Sequence, residues 1–148
     1  MVAGPVVVGL DGSANAAAAL AAAIEIARGA GTEVVAVHAV GLLTHLRPGG
    51  PAVPSASCRD QLQDVFENDW CAPLRASGVP SRTRLLPGNP VDVLLKAADE
   101  EDACTIVVGS RGHRTSAAAP LGSTSFHLVM STDRPVLVVP LPDPGSDS

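Results

Sequence analysis

The residues best suited to chemistry lie in a glycine-rich stretch of the second half of the chain. Gly109 and Gly112 are followed, after nine residues, by Gly122 and Ser123, so the stretch has the form GxxG-x9-GS. Glycine has no Cβ, so a ligand can approach the main chain closely. A helix that begins at Gly122 and Ser123 would present unpaired N–H groups, and the hydroxyls of Ser123 and Thr124 would add donors. The pattern therefore predicts a cradle for phosphate groups.

This cradle differs from the best-known phosphate-binding loops. The chain has neither the GxxxxGK[ST] pattern of a P-loop nor the GxGxxG pattern of a Rossmann fold. A buried strand runs directly into the stretch, and a helix starts directly after it. The same residues also fit a glycine-rich turn followed by a helix that a serine caps, and the spacing alone leaves both interpretations open.

A second candidate site follows the first predicted strand, in the sequence Gly9-Leu10-Asp11-Gly12-Ser13. A carboxylate at the carboxyl end of a central strand can accept a hydrogen bond from a ribose hydroxyl, or hold a divalent ion near phosphates. The alternative is that Asp11 stabilises a turn and Ser13 caps the helix that follows. The sequence leaves both roles open.

Composition and charge argue against several classes of function. The chain has 148 residues, of which 46% are hydrophobic and 17% charged, so one domain can bury a core. A net charge of −5 argues against binding to nucleic acid or anionic membranes, and three aromatic residues cannot build a stacking platform for single strands. We expect no membrane span and no signal peptide. The three cysteines are widely spaced without a CxxC, which favours reduced thiols in a cytoplasmic protein.

Apolar, β-branched runs alternate with helical patterns along nearly the whole chain. Short apolar runs such as residues 6–8 are typical of strands that are covered on both faces. The alternation predicts an α/β fold, a single-domain open parallel sheet with helices on both faces. Polar and apolar residues alternate in the third strand, which is therefore expected near a sheet edge. The predicted strands are residues 6–8, 34–40, 81–86, 105–108 and 136–139.

Capping residues mark the helices between these strands. Ser13 is expected to cap a helix that Gly29 and Gly31 end, and Asn89-Pro90 is a strong start for another helix. A further helix begins near residue 57, with a kink or an end expected at Pro73. The residues expected on its inner side are Leu62, Val65, Phe66 and Leu74.

Parallel sheets of this kind bind ligands outside the carboxyl ends of their strands, where the strand order reverses. The segments to inspect are therefore residues 9–13, 38–40, 86–89 and 109–112. His38 is expected to pack or to cap rather than to catalyse. The acidic run at residues 99–102 ends a helix, where negative charge opposes the helix dipole, and is expected to form solvated surface.

Taken together, these segments resemble the universal stress protein family. The resemblance covers nearly the whole chain, through VVVGLDGS, VVAVHAV, GNPVDVLLKAADEEDACTIVVGSRG, LGSTS and PVLVVP. The GxxG-x9-G[ST] pattern is similar to the signature of the family's ATP-binding subgroup. The resemblance implies a sheet of strand order 3-2-1-4-5 in a nucleotide-binding domain of residues 1–140. The sequence of residues 141–148 itself predicts a flexible tail.

The same resemblance implies roles for individual residues around ATP. Asp11 would lie beside the ribose and phosphates, where it could hold the Mg²⁺ of bound ATP, and the main chain of His38 and Ala39 would border the adenine. Arg111 either reaches the triphosphate or points to solvent. The other candidate ligand-binding residues are Gly9, Leu10, Ser13, Val108, Gly109, Gly112, Gly122, Ser123 and Thr124.

The resemblance also implies a homodimer paired through the last strand, at Val136, Leu137, Val138 and Val139. An apolar edge strand is expected to seek a partner on physical grounds as well. The implied function is a regulatory stress-response module whose ATP occupancy biases dimer or partner interactions. Two other functions stay open, a slow Mg²⁺-dependent ATP hydrolase and a dimeric interaction module without nucleotide. No oriented pair of nucleophile and base is recognisable, so no catalytic residue is assigned.

Overall fold

Parallel strands form the centre of the protein, with helices on both sides. The computed structural model describes residues 4–40, 56–110 and 123–140. Within these ranges the strand order is β3-β2-β1-β4-β5, and every neighbouring pair is parallel. The predicted fold class and strand order are therefore confirmed, with β3 at one edge. The strands are β1 (Val6–Gly9), β2 (Val34–Val40), β3 (Ser81–Pro87), β4 (Thr105–Gly109) and β5 (Val136–Val139).

Helices cover the two faces of the sheet, and the strands between them are buried. Val6 and Val8 pack toward α1 and α3, Val7 packs toward α4 and α5, and all three are 0% exposed. This burial on both faces explains why β1 is a continuous apolar run. The helices are α1 (Ala14–Ala30), α2 (Ala56–Val65), α3 (Ala72–Ser77), α4 (Pro90–Glu101) and α5 (Ser123–Ser131), and a π-helical turn at Phe66–Trp70 precedes α3.

The predicted capping residues hold the ends of two helices. The Oγ atom of Ser13 accepts a hydrogen bond from the amide of Ala16 at 3.1 Å, and the side chain of Asn89 caps α4 in the same way. α1 continues through Gly29 and ends at Gly31, whose φ of 68° is the left-handed conformation that favours glycine. The capping residues thus fix where both helices begin.

The segment after residue 57 differs from the predicted helix. Phe66 and Leu74 are buried as expected, but Val65 is 40% exposed and Leu62 only half-buried. The amide of Cys71 donates to the carbonyl of Phe66, five residues back, and this π turn shifts the helical register. The chain does break near Pro73, which then lies in the first turn of α3, where its missing N–H costs little.

The acidic run at residues 99–102 forms solvated surface only in part. Asp99 and Asp102 are exposed as expected, although both pair with Arg134. The side chain of Glu101 is only 13% exposed because it lies between Arg82 and Arg84 of β3. These arginines offset the negative charge at the carboxyl end of α4 and tie that helix to the edge of the sheet.

Candidate functional site

The carboxyl ends of β1 and β4 lie side by side in the middle of the sheet. β1 pairs with β2 on one side and with β4 on the other, and Val8 lies opposite Val107. The strand order therefore reverses between β1 and β4, where parallel sheets bind their ligands. Asp11, after β1, and Gly109, at the end of β4, are thereby brought to one edge of the sheet.

Asn15, in the first turn of α1, ties together the ends of β4 and β5. Its Nδ2 atom donates to the carbonyl of Val139 at 2.9 Å, and its Oδ1 atom accepts from the hydroxyl of Ser110 at 3.2 Å. A Cβ added to Gly109 would lie 2.9 Å from the main-chain oxygen of Asn15. Glycine is therefore required at position 109 by the close approach of α1, whatever ligand binds there.

The first turn of α5 reaches the same strand end. The hydroxyl of Ser125, which is buried, donates to the carbonyl of Gly109 at 2.6 Å. The amino-terminal turns of α1 and α5 thus both contact Gly109. The partial positive charges of these helix amino-termini make this edge of the sheet favourable for an anion.

The turn that carries Asp11 shows the structural roles predicted for its polar residues. The Oδ1 atom of Asp11 accepts from the amide of Ser13 at 2.9 Å, while Ser13 caps α1. Gly12 has a φ of 83°, which favours glycine. Hydrogen bonds within the turn therefore fix its conformation.

The other predicted residues fall into three groups. Leu10 and Val108 are each 5% exposed and belong to the core. Gly9, Ala39 and Thr124 are half-buried. Arg111, Gly112, Gly122 and the side chain of Ser123 lie outside the described residues.

His38 packs behind the Asp11 turn, as the sequence predicts. Its Nδ1 atom lies 2.7 Å from the carbonyl oxygen of Leu10, and its ring meets the edge of Trp70 with centroids 4.9 Å apart. Burial lowers the pKa of His38, while the hydrogen bond to Leu10 and the charge of Asp11 raise it in part. His38 is therefore a neutral packing residue near pH 7.

Trp70 covers Gly12 on the outer side of the same turn. An added Cβ on Gly12 would lie 2.6 Å from the Cζ2 atom of Trp70. Trp70, Pro73 and the first turns of α1 also line a hollow of about 170 Å³. Leu10 and Ser13 line this hollow as well, and none of the described residues around it belongs to β4 or α5.

Fold and sequence together agree with one known family. The sequence signature of the family described as "Universal stress protein family" matches residues 3–140. The chain belongs to this family. None of the curated proteins matches this universal stress protein significantly.

Several solved structures are similar to this universal stress protein. A family protein from Burkholderia pseudomallei is 29% identical, with a TM-score of 0.71 over 93% of this chain and 96% of that one. A universal stress protein in complex with cAMP is 26% identical, with a TM-score of 0.71 over 94% and 98%. One from Archaeoglobus fulgidus in complex with dAMP is 25% identical, with a TM-score of 0.69 over 94% and 99%.

Two structural features often tied to function are absent from the described part of this universal stress protein. No group of three or more histidine, cysteine, aspartate or glutamate side chains could hold a metal ion among the residues described. In those same ranges, no helix combines the length and the apolar character that crossing a bilayer requires.

Sequence reasoning missed three residues that order the site, namely Asn15, Ser125 and Trp70. Asn15 is an isolated amide in the alanine-rich start of α1, and Trp70 is the single tryptophan of the chain. An amide in an otherwise apolar helix turn is a usable signal, because a buried amide needs hydrogen-bond partners. Ser125 offers no such signal, since serines are common in first turns of helices.

The lowered pKa of His38 makes the stability of this universal stress protein depend on pH. His38 binds a proton less readily in the folded protein than in the unfolded chain. Its contribution to the free energy of unfolding is therefore complete above about pH 6.5 and is lost as the pH falls through the folded pKa. We expect the free energy of unfolding, measured in urea, to fall as the pH is lowered below about 6.5. The fall should be smaller in His38→Asn, and an equal fall would assign it to other groups.

Gly12→Ala is expected to destabilise the protein more than Gly78→Ala. Gly12 and Gly78 have φ values of 83° and 76°, so an alanine is strained by about 1 kcal/mol at either position. A Cβ at Gly78 meets no atom within 4 Å, whereas one at Gly12 must displace Trp70, which adds about 1–3 kcal/mol. Thermal unfolding of both variants measures the difference, and equal losses would mean that the indole moves without cost.

Proposed function

We propose that this universal stress protein binds an adenine nucleotide, ATP in particular, at the carboxyl ends of β1 and β4. It would act as a regulatory module of the cytoplasm in the stress response, in which nucleotide occupancy biases dimer or partner interactions. The observation that carries the proposal is the contact of two helix amino-termini, those of α1 and α5, with Gly109.

The chemistry of this strand end fits a polyphosphate. The net charge of −5 leaves little general attraction for phosphate, so binding must come from local main-chain N–H groups and helix dipoles. The first turns of α1 and α5 would supply N–H groups and helix dipoles at the end of β4. Bound ATP would bring negative charge to an edge where two helix amino-termini contribute partial positive charge.

The remaining assignments follow the sequence pattern. Asp11 would bind a ribose hydroxyl or the Mg²⁺ that accompanies ATP, and the main chain of His38 and Ala39 would border the adenine. The phosphates would be held at Gly112, Gly122, Ser123 and Thr124, with Arg111 nearby. The relatives solved with cAMP and with dAMP support an adenine ligand for a fold of this kind.

A homodimer paired through β5 (Val136–Val139) is part of the proposal. β5 is the last strand of the sheet order, so one of its edges has no described strand beside it. Leu137 is 39% exposed, and Phe126 and Met130 on the neighbouring α5 are 52% and 72% exposed. A second copy that pairs along this edge would cover apolar surface that is unfavourable in water.

Calorimetry with ATP and Mg²⁺, combined with product analysis, tests the proposal. Binding with negligible turnover supports it, multiple turnover favours a slow ATP hydrolase, and no heat at millimolar ATP favours an interaction module without nucleotide. Light scattering on the same samples should give twice the mass of the 14.9 kDa chain.

A matched pair of valine variants tests where the phosphates bind. Gly122→Val should abolish ATP binding, because a branched side chain would fill the phosphate site. Gly29→Val should leave binding intact, because an added Cβ there meets no atom within 4 Å. Normal ATP binding by Gly122→Val would refute the phosphate assignment.

A further inference from the structure

The turn that carries Asp11 is held by side chains from two other elements. On one side, the Nδ1 atom of His38 in β2 lies 2.7 Å from the carbonyl oxygen of Leu10, the residue before Asp11. On the other side, the indole of Trp70 lies so close to Gly12, the residue after Asp11, that an added Cβ would be 2.6 Å from it. Asp11 is thus bracketed on both sides.

The two bracketing side chains also hold each other. The ring planes of His38 and Trp70 meet at 84° with centroids 4.9 Å apart, an edge-to-face contact. Phe66 is fully buried, and its ring centroid lies 6.0 Å from that of His38 and 5.9 Å from that of Trp70. We call His38 and Trp70 the aromatic clamp. The aromatic clamp links β2, the π turn and the turn after β1. Turns of the π type are often found at functional sites.

The hydrogen bond of His38 acts directly on the position of Asp11. A carbonyl oxygen can only accept, so the Nδ1 atom of His38 carries the proton that it donates to Leu10. The Asp11 carboxylate accepts from the amide of Ser13 at 2.9 Å, so its orientation follows the main chain of the turn. Moving Leu10 or Gly12 would therefore move the carboxylate.

We infer that His38 and Trp70 are positioning residues, which hold Asp11 where it can bind the ribose or the Mg²⁺ of the nucleotide. This inference rests on the proposed function. The clamp couples the π turn to the ligand site, so displacement of Trp70 weakens nucleotide binding. By linkage, bound nucleotide restrains Trp70 to the same degree.

The variants His38→Asn and His38→Gln separate positioning from packing. The amide nitrogen of asparagine reaches the place of Nδ1, whereas that of glutamine reaches the place of Nε2, so only asparagine keeps the bond to Leu10. We expect His38→Asn to bind ATP with Mg²⁺ within about 3-fold of the wild type, and His38→Gln to bind roughly 10-fold more weakly.

Two further measurements test the clamp independently of the affinities. Amide hydrogen exchange at Gly12 and Ser13, measured without nucleotide, should be faster in His38→Gln than in His38→Asn. The chain has one tryptophan and no tyrosine, so its fluorescence reports on Trp70 alone and should change when ATP binds. If His38→Gln unfolds, Trp70→Phe and Trp70→Leu form a second pair, in which the leucine variant should bind ATP more weakly.

The outcomes distinguish this inference from the proposed function. Equal affinities in the asparagine and glutamine variants, together with equal exchange at residues 11–13, would overturn the clamp. A wild type that binds no adenine nucleotide would overturn the proposed function. In that case the exchange rates of the ligand-free variants still decide whether His38 holds the turn.

Discussion

Gly109→Val should lower the free energy of unfolding by about 3 kcal/mol. The Cβ alone would lie 2.9 Å from the main-chain oxygen of Asn15 and 3.0 Å from its carbonyl carbon. Neither atom belongs to a flexible side chain, so the first turn of α1 must move away from β4 to make room. Urea denaturation monitored by circular dichroism measures the loss of stability.

Gly29→Val serves as the control for the Gly109 prediction. Gly29 lies within α1, and an added side chain there meets no atom within 4 Å, so the same substitution should have little effect on stability. If Gly109→Val were as stable as Gly29→Val, α1 would not contact β4 as closely as described. Nucleotide binding should also weaken in Gly109→Val, because the amino-terminus of α1 would shift.

Asn15→Leu should destabilise the protein by about 2–4 kcal/mol, although the two side chains have similar volumes. Asn15 is 6% exposed and hydrogen-bonds to Val139 and Ser110, which lie at the ends of two different strands. Leucine removes both bonds and leaves the buried hydroxyl of Ser110 without its partner Oδ1. The midpoint and the slope of the unfolding transition in guanidinium chloride together give the loss in free energy of unfolding.

Asn68→Leu is the matched control for Asn15→Leu. Asn68 is exposed, and its Oδ1 atom accepts a long hydrogen bond of 3.4 Å from Arg75. The same change there should alter stability by about 0.5 kcal/mol or less. Equal effects at the two positions would show that the buried amide contributes nothing. A double-mutant cycle of Asn15→Leu with Ser110→Ala would then isolate the bond between them.

Much of the fold could be predicted because its signals are local. The apolar run of β1 reflects burial on both faces, and Ser13 and Asn89 cap the helices that follow them. The π turn at Phe66–Trp70 could not be predicted, because it depends on how Phe66 and Trp70 pack against His38. That packing shifted the helical register and left Val65 exposed.

The candidate site was predicted as two separate segments, of which residues 9–13 and 109–110 lie within the described ranges. Parallel pairing brings Asp11 and Gly109 to one edge of the sheet, as the topology requires. The predicted and the observed reasons for glycine at position 109 differ. The sequence suggested room for a ligand, whereas the tertiary structure requires room for the main chain of Asn15.

By itself the sequence determined the order of strands and helices along the chain, most of their buried faces, and the two segments that carry candidate chemistry. These features depend on residues within a few positions of each other, because periodicity and capping act over one or two turns. Only the tertiary structure decided which distant residues meet, such as Asn15 with Ser110, which are 95 positions apart, and His38 with Trp70. Those contacts depend on strand register and helix packing. Both are determined by the packing of the whole domain, because no short stretch of sequence encodes them.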